Sequence, residues 1–220
     1  MARFPILLTN DDGINSPGLQ NLASSLHALG HPIVILAPLT EQSAVGMKLT
    51  LRDDMAFKEH LDIAEKISAD ESTPLRVFSL DGSPCDCVIV AIDGGLRSWA
   101  PEIRPWLCIS GINRGPNLSV DVLHSGTVSA AREASLYGLP SLSVSLATYS
   151  HQDYSQSIEA TLALVERLSE LVTSEPSNIL RPEGSITRPL EGTGKHSIRS
   201  WFMQGNMFLN LNIPEDWKGE

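Results

Sequence analysis

Short apolar runs alternate with helically spaced ones along most of this chain. Pro5–Thr9 is a compact apolar run and is predicted to be a buried strand. Ser16-Pro17 then supplies an N-cap followed by proline at the first helical position. Leu19, Leu22, Ala23, Leu26 and Leu29 recur at helical spacing, and Gly30 closes the helix. Pro32–Ala37 is a second apolar, β-branched run, so the start reads strand–helix–strand and implies parallel pairing.

Leu39–Lys48 is a polar loop, Leu49–Phe57 reads as extended, and the charged stretch Lys58–Thr73 reads as exposed. Leu75–Leu80 is a strand turned by Asp81-Gly82. Ser83-Pro84 opens a helix with Asp86 at its third position and Cys87–Ile92 on its buried side. Trp106–Ile109 is a third strand of the parallel type, ending at Ser110-Gly111-Ile112-Asn113. A polar loop, Arg114–His124, leads to Ser125-Gly126-Thr127 and a helix running through Tyr137 to Gly138. Ser141–Leu146 is a strand, Tyr154–Val172 an amphipathic helix and Met207–Ile213 a last strand. Glu175–Ser200, rich in Pro, Gly, Ser and charge, reads as a loop insert. The sum is a single α/β domain over residues 1–220, doubly wound and Rossmann-like, with a mostly parallel sheet.

Composition narrows what such a domain does. A net charge of −10 opposes binding to a nucleic-acid backbone, yet a divalent cation would supply local positive charge for a phosphorylated small molecule. The opening residues lack the apolar core of a signal peptide and no run reaches membrane-spanning length, so a cytoplasmic, membrane-free protein is expected. Cys85, Cys87 and Cys108 form no even disulfide set, and the first two are too close for a zinc knuckle; buried free thiols are expected.

Polar clusters fall at the carboxyl ends of the expected strands or at helix starts, where ligands bind in open α/β sheets. They are Asn10-Asp11-Asp12-Gly13, Gln42-Ser43, Ser110-Gly111-Ile112-Asn113 and Ser125-Gly126-Thr127. Two carboxylates, a hydroxyl and an amide carbonyl make a hard-oxygen set suited to Mg²⁺ or Mn²⁺. A helix opening at Gly126 offers backbone N–H groups to an anion. The bland readings stand beside these: Asn-Asp-Asp-Gly as a polar turn, Ser125 as a cap and nothing more. Gly192-Thr193-Gly194-Lys195-His196-Ser197 fails as a phosphate loop, because Pro189 and His196 occupy positions that need Gly and Ser or Thr. His124 reads as a loop-packing or solvent residue, and His27, His31, His60, His151 and His196 show no paired spacing.

Several strings together resemble the SurE family of 5′/3′-nucleotidases. They are Leu7-Leu8-Thr9-Asn10-Asp11-Asp12-Gly13, Glu41-Gln42-Ser43-Ala44-Val45-Gly46, Gly82-Ser83-Pro84-Cys85-Asp86-Cys87-Val88, Ser110-Gly111-Ile112-Asn113-Arg114-Gly115-Pro116-Asn117-Leu118 and Val122–Glu133. The likeness runs in order from about Ile6 to Leu146, with a weaker echo at Leu209–Pro214. It implies a Rossmann-like core, one divalent metal ion (Mg²⁺ or Mn²⁺) and hydrolysis of nucleoside 5′- and 3′-monophosphates. By motif, Asp11, Asp12, Ser43 and Asn113 would hold the metal, with Asp11, Asp12 and Asn113 catalytic. Asn10, Asn117, Ser125, Gly126 and Thr127 would surround the phosphate. The cation would polarise a phosphoryl oxygen and lower the pKa of a bound water, with Arg114 near the leaving group. Family members continue past the last strand into further strands and an arm used in homo-oligomer contacts. Only Glu215–Glu220 follow here, so a shortened C-terminal extension is expected and the oligomeric state stays open. Two alternatives remain: a nucleotide-binding homologue without turnover, and a phosphatase acting mainly on polyphosphate or other phosphate esters.

Overall fold

The computed structural model describes residues 3–173, 175–176 and 197–219. In chain order its elements are β1 (Ile6–Thr9), α1 (Pro17–Ala28), β2 (Ile33–Pro38), β3 (Phe57–Glu59), α2 (Leu61–Ile67), β4 (Leu75–Leu80) and α3 (Pro84–Val90). After a π-type turn come α4 (Leu96–Trp99), β5 (Leu107–Arg114) and a 3₁₀ turn at Ser119–Leu123. Then follow α5 (Gly126–Leu136), β6 (Ser141–Leu146), α6 (Ser155–Leu168), α7 (Ile198–Met203) and β7 (Leu209–Ile213).

The strands form one seven-stranded sheet in the order β3-β4-β2-β1-β5-β6-β7. All pairings are parallel except β3 against β4. Leaving out β3, the parallel strands run third-second-first-fourth-fifth-sixth in chain order, the doubly wound arrangement whose ligand crevice opens where the winding reverses. Here the reversal falls between β1 and β5, in register from Ile6↔Leu107 to Thr9↔Ser110.

Side-chain alternation along each strand builds a core on both sheet faces. Ile6, Leu8, Ile33 and Ile35 pack with Leu19, Leu22 and Leu26 of α1 and Val165 and Leu168 of α6. Leu7, Val34, Leu36 and Cys108 pack on the other face with Val88 of α3 and Ala130 and Ala134 of α5. The three cysteines are buried and free, and burial pushes the Cys85 and Cys108 thiols up to about 12, so they stay protonated. Among the described residues, no helix is long and apolar enough to cross a membrane.

The helix starts follow local chemistry. The Ser16 side chain caps α1 by accepting from Leu19 N, with Pro17 in the first turn. Ser83 and Asp86 form a full capping box on α3. Four expectations need correction. The stretch Lys58–Thr73 is not simply exposed: it carries most of β3 and all of α2, whose Ile63 and Ile67 are buried one turn apart. Only Phe57 of Leu49–Phe57 joins a strand. Ser110-Gly111-Ile112-Asn113 does not end β5, because pairing with β6 resumes at Asn113 after a register shift. In the expected Glu175–Ser200 loop, Ser197 instead caps α7; the Gly192–His196 string lies outside the described residues.

Candidate active site

The turn after β1 is ordered by its own side chains. Asn10 is fully buried: its Nδ2 donates to Gly13 O (3.0 Å) and Ser16 Oγ (2.8 Å), and its Oδ1 accepts from Gly13 N (3.2 Å). It therefore fixes the turn and ties it to the α1 cap, and it is not among the residues lining the crevice described next, so this geometry gives it a structural part rather than the expected phosphate contact. The turn turns Asp11 and Asp12 into the crevice above the switch point.

That crevice is a cavity of about 740 Å³ whose wall includes Asp11, Asp12, Ser43 and Asn113. All of the side chains expected to hold a cation thus share one space, although they come from the β1 turn, the β2 loop and the β5 bulge. Asn117 and Ser125 lie on the same wall, as do Glu41, Arg114, Asp121, His124, Tyr149 and Tyr154. His124, read from sequence as a packing or solvent residue, is exposed on that wall.

The start of α5 departs most from expectation. Thr127 is fully buried and gives both its backbone N–H (3.0 Å, to Oδ2) and its hydroxyl (to Oδ1) to Asp11. Val128 N–H goes to Ser125 Oγ (3.1 Å) and Ser125 N–H to Asp121 O (2.9 Å). The positive end of the helix is therefore largely spent on a carboxylate, and Gly126 N–H is the donor of this turn left without a partner among the described residues. With both donors on Asp11, Thr127 positions that carboxylate in this structure, and neither donor points to the expected phosphate. Gly126 belongs to that grip: a Cβ there would lie 2.8 Å from Asp11 Cβ and 3.1 Å from both Asp11 Oδ2 and Gln42 O.

Opposing influences act on the two aspartates. Burial raises the Asp11 pKa, outweighing the lowering by the Thr127 hydrogen bonds. Burial, then the Asp11 charge, pushes Asp12 up to about 6, while Arg114 N–H, 3.4 Å from Oδ2, pulls it down. Two half-compensated carboxylates in one crevice call for positive charge. Asn113 donates its Nδ2 to Gly115 O (2.8 Å), leaving Oδ1, the atom a hard cation takes, without a partner among the described residues. The Ser43 hydroxyl is exposed and donates to Glu41 Oε1 (2.6 Å), so its lone pairs remain available. Among the described residues no three His, Cys, Asp or Glu side chains gather to hold a metal ion, so a cation here would need the hydroxyl and amide oxygens of Ser43 and Asn113 beside the two aspartates. The donor set here is all oxygen, and it fits one hard divalent cation completed by water or substrate.

Asn117 is anchored rather than free. Its Nδ2 donates to Ser145 Oγ (2.9 Å) on β6, its N–H to Asn212 Oδ1 (2.8 Å), and its carbonyl accepts from Asn210 Nδ2 (2.9 Å) on β7. Sequence reasoning missed Glu41, Tyr149 and Tyr154; position after a strand end could have flagged Glu41, whereas nothing in the pattern marked the tyrosines. Tyr154 is 4% exposed, and burial, then the charge of Asp12, raises its phenol pKa.

A doubly wound α/β sheet with an acidic oxygen-donor crevice at its switch point defines a Rossmann-type protein equipped for a divalent cation and an anionic ligand. The family model described as Survival protein SurE matches residues 6–220, and the chain belongs to the SurE family. A 5′-nucleotidase SurE from Syntrophotalea carbinolica is 43% identical over 185 residues, covering 82% of this chain and 66% of that protein. The Desulfitobacterium hafniense and Synechococcus elongatus proteins of the same name are 44% and 40% identical, covering 68% and 74% of this chain and 53% and 58% of their own. The crystal structure of the SurE protein from Aquifex aeolicus aligns with a TM-score of 0.64 at 28% identity, covering 96% of this chain and 66% of that one. The chain thus spans between about half and two thirds of the length of these curated relatives.

Proposed function

We propose that this chain hydrolyses phosphate monoesters, with nucleoside 5′- and 3′-monophosphates as its substrate class and one Mg²⁺ or Mn²⁺ ion as cofactor. One observation carries the reading: Asp11, Asp12, Ser43 and Asn113, far apart in sequence, line a single crevice. That crevice also holds Glu41 and Asp121, and Arg114 is its sole Lys or Arg among the described residues. A phosphate dianion would be repelled from so acidic a wall unless a cation lay between. The name 5′-nucleotidase carried by the relatives supports the same substrate class.

Asp11, Asp12, Ser43 Oγ and Asn113 Oδ1 would hold the cation. When bound, it supplies positive charge that polarises a phosphoryl oxygen and favours deprotonation of an attacking water. The rest falls to the chain. Thr127 locks the Asp11 carboxylate in one orientation, and the Arg114 N–H does so for Asp12. Ser125, which lines the crevice, and the Gly126 N–H next to it would border the phosphoryl group, and Arg114, from the same lining, would add charge.

The test is release of inorganic phosphate from AMP and GMP with Mn²⁺. Release that stops with chelator and in Asp11→Asn is expected. Tight nucleotide binding without release would point instead to a binding protein, and release only from polyphosphate or sugar phosphates would replace the substrate class.

A further inference from the structure

The residues assembled so far address a cation and a phosphoryl group, and none of them reads what the phosphate is attached to. The cavity, at about 740 Å³, is sized for a far larger ligand than phosphate alone. Part of its wall comes from the segment between β6 and α6, which contributes Tyr149 and Tyr154. This wall belongs to the α1/α6 face of the sheet, where Tyr154 packs, whereas α5 covers the other face.

The two tyrosines stand at different depths. Tyr154 is 4% exposed and its ring is held against α1, because a Cβ on Gly18 would lie 3.1 Å from Tyr154 Cε1 and 2.4 Å from Ile112 O. Its hydroxyl is within electrostatic reach of Asp12 and Arg114 and has no hydrogen-bond partner among the described residues. Tyr154 lines the cavity, and its hydroxyl is not among the buried side-chain atoms left without a partner, so it opens to the cavity, where an oxygen of a bound molecule can accept from it. Tyr149 is 67% exposed at the cavity rim. It lies against Gly115, where a Cβ would stand 2.1 to 2.6 Å from Tyr149 Cε1, Cζ and Oη. The missing side chain at Gly115 is what lets the ring rest there with most of its surface open. An open aromatic surface beside a phosphate site is a stacking platform for a planar base.

We infer that Tyr149 and Tyr154 form the nucleoside half of this site, Tyr149 stacking on an aromatic base and the Tyr154 hydroxyl donating a hydrogen bond to a sugar oxygen. Depth sets the assignment: Tyr154, beside Asp12, meets the part of the substrate joined to the phosphate, and Tyr149 meets its far end. The inference rests on the proposed phosphomonoester site and adds to it a preference for nucleotides over simpler phosphates.

Equilibrium binding by calorimetry with Mn²⁺ tests it, using as probes inorganic phosphate and non-hydrolysable phosphonate analogues of AMP and of ribose 5-phosphate, each analogue called by the name of its parent. Tyr149→Ala is expected to weaken AMP roughly tenfold or more, with Tyr149→Phe restoring it and ribose 5-phosphate unchanged. Tyr154→Phe is expected to weaken AMP and ribose 5-phosphate together, roughly three- to tenfold, and to leave inorganic phosphate unchanged. AMP bound no better than inorganic phosphate by the unaltered protein overturns the inference and leaves the phosphate site standing. So do variants that lose all three probes equally. Failure of the unaltered protein to bind even phosphate with Mn²⁺ overturns the underlying reading, and the inference with it.

Discussion

Asp11 is where the chemistry of this chain is most constrained. It is buried, it sits in a crevice already crowded with carboxylates, and it is gripped by both donors of Thr127. Such outer partners orient metal ligands, and losing them typically lowers metal affinity roughly 10- to 100-fold. Thr127→Val should therefore weaken Mn²⁺ binding by that order, read by titration calorimetry, while Thr127→Ser keeps most of it. Equal affinity in Thr127→Val would show that the backbone N–H alone suffices. At this scale the sequence marked where the proposed ligands lie but not how they are held. Adjacent aspartates after an apolar run are visible in one dimension; that the start of α5 would spend its donors on Asp11 depends on two helices and a strand meeting in space. Asn10 misled for the same reason, since its neighbours in the motif face the cavity and it faces the turn.

Elements form here mainly through capping and alternation, both local, and that is why most of them could be read directly. The α3 box shows how much can rest on one turn. Ser83 Oγ accepts from Asp86 N (3.1 Å) and donates to Lys48 O (2.6 Å), while Asp86 also binds Thr50 through its N–H (2.9 Å) and hydroxyl (2.8 Å). Ser83→Ala is expected to cost about 1–2 kcal/mol, lowering the melting temperature by roughly 2–8 °C in a chain of this size. A change below 1 °C would mean that the cap contributes little. What could not be read was α2: Ile63 and Ile67 keep helical spacing, but Asp62 before them and Glu65 and Lys66 between them give the segment the look of an exposed loop. The β5 bulge escaped for a related reason, since a polar Ser-Gly-Ile-Asn string reads as a strand end and only pairing with β6 carries it onward.

At the scale of the whole molecule, the winding order puts the site at the β1/β5 reversal and leaves both faces to the core. One titrating group in that core gives stability a distinct pH signature. His31 is buried, with Nδ1 3.0 Å from Phe4 O and its ring 5.0 Å from that of Phe4. Burial holds its pKa below the ordinary 6.5, so the folded chain keeps it neutral while the unfolded chain takes up a proton as pH falls. Its cost to stability is therefore absent above about 6.5 and grows as pH drops from there toward the lowered folded value. Between about pH 7 and pH 5 the melting temperature should fall more steeply for the unaltered chain than for His31→Asn, which keeps an N–H donor but cannot charge. Parallel curves would remove His31 from the account.

A cation that converts this acidic crevice into a phosphate site is the central requirement of the proposed chemistry. Calorimetric titration of a non-hydrolysable phosphonate analogue of AMP into the protein, once with Mn²⁺ and once with chelator, measures that conversion directly. Binding that requires Mn²⁺ and disappears in Asp11→Asn is the expected result. The analogue bound equally well in chelator would contradict it.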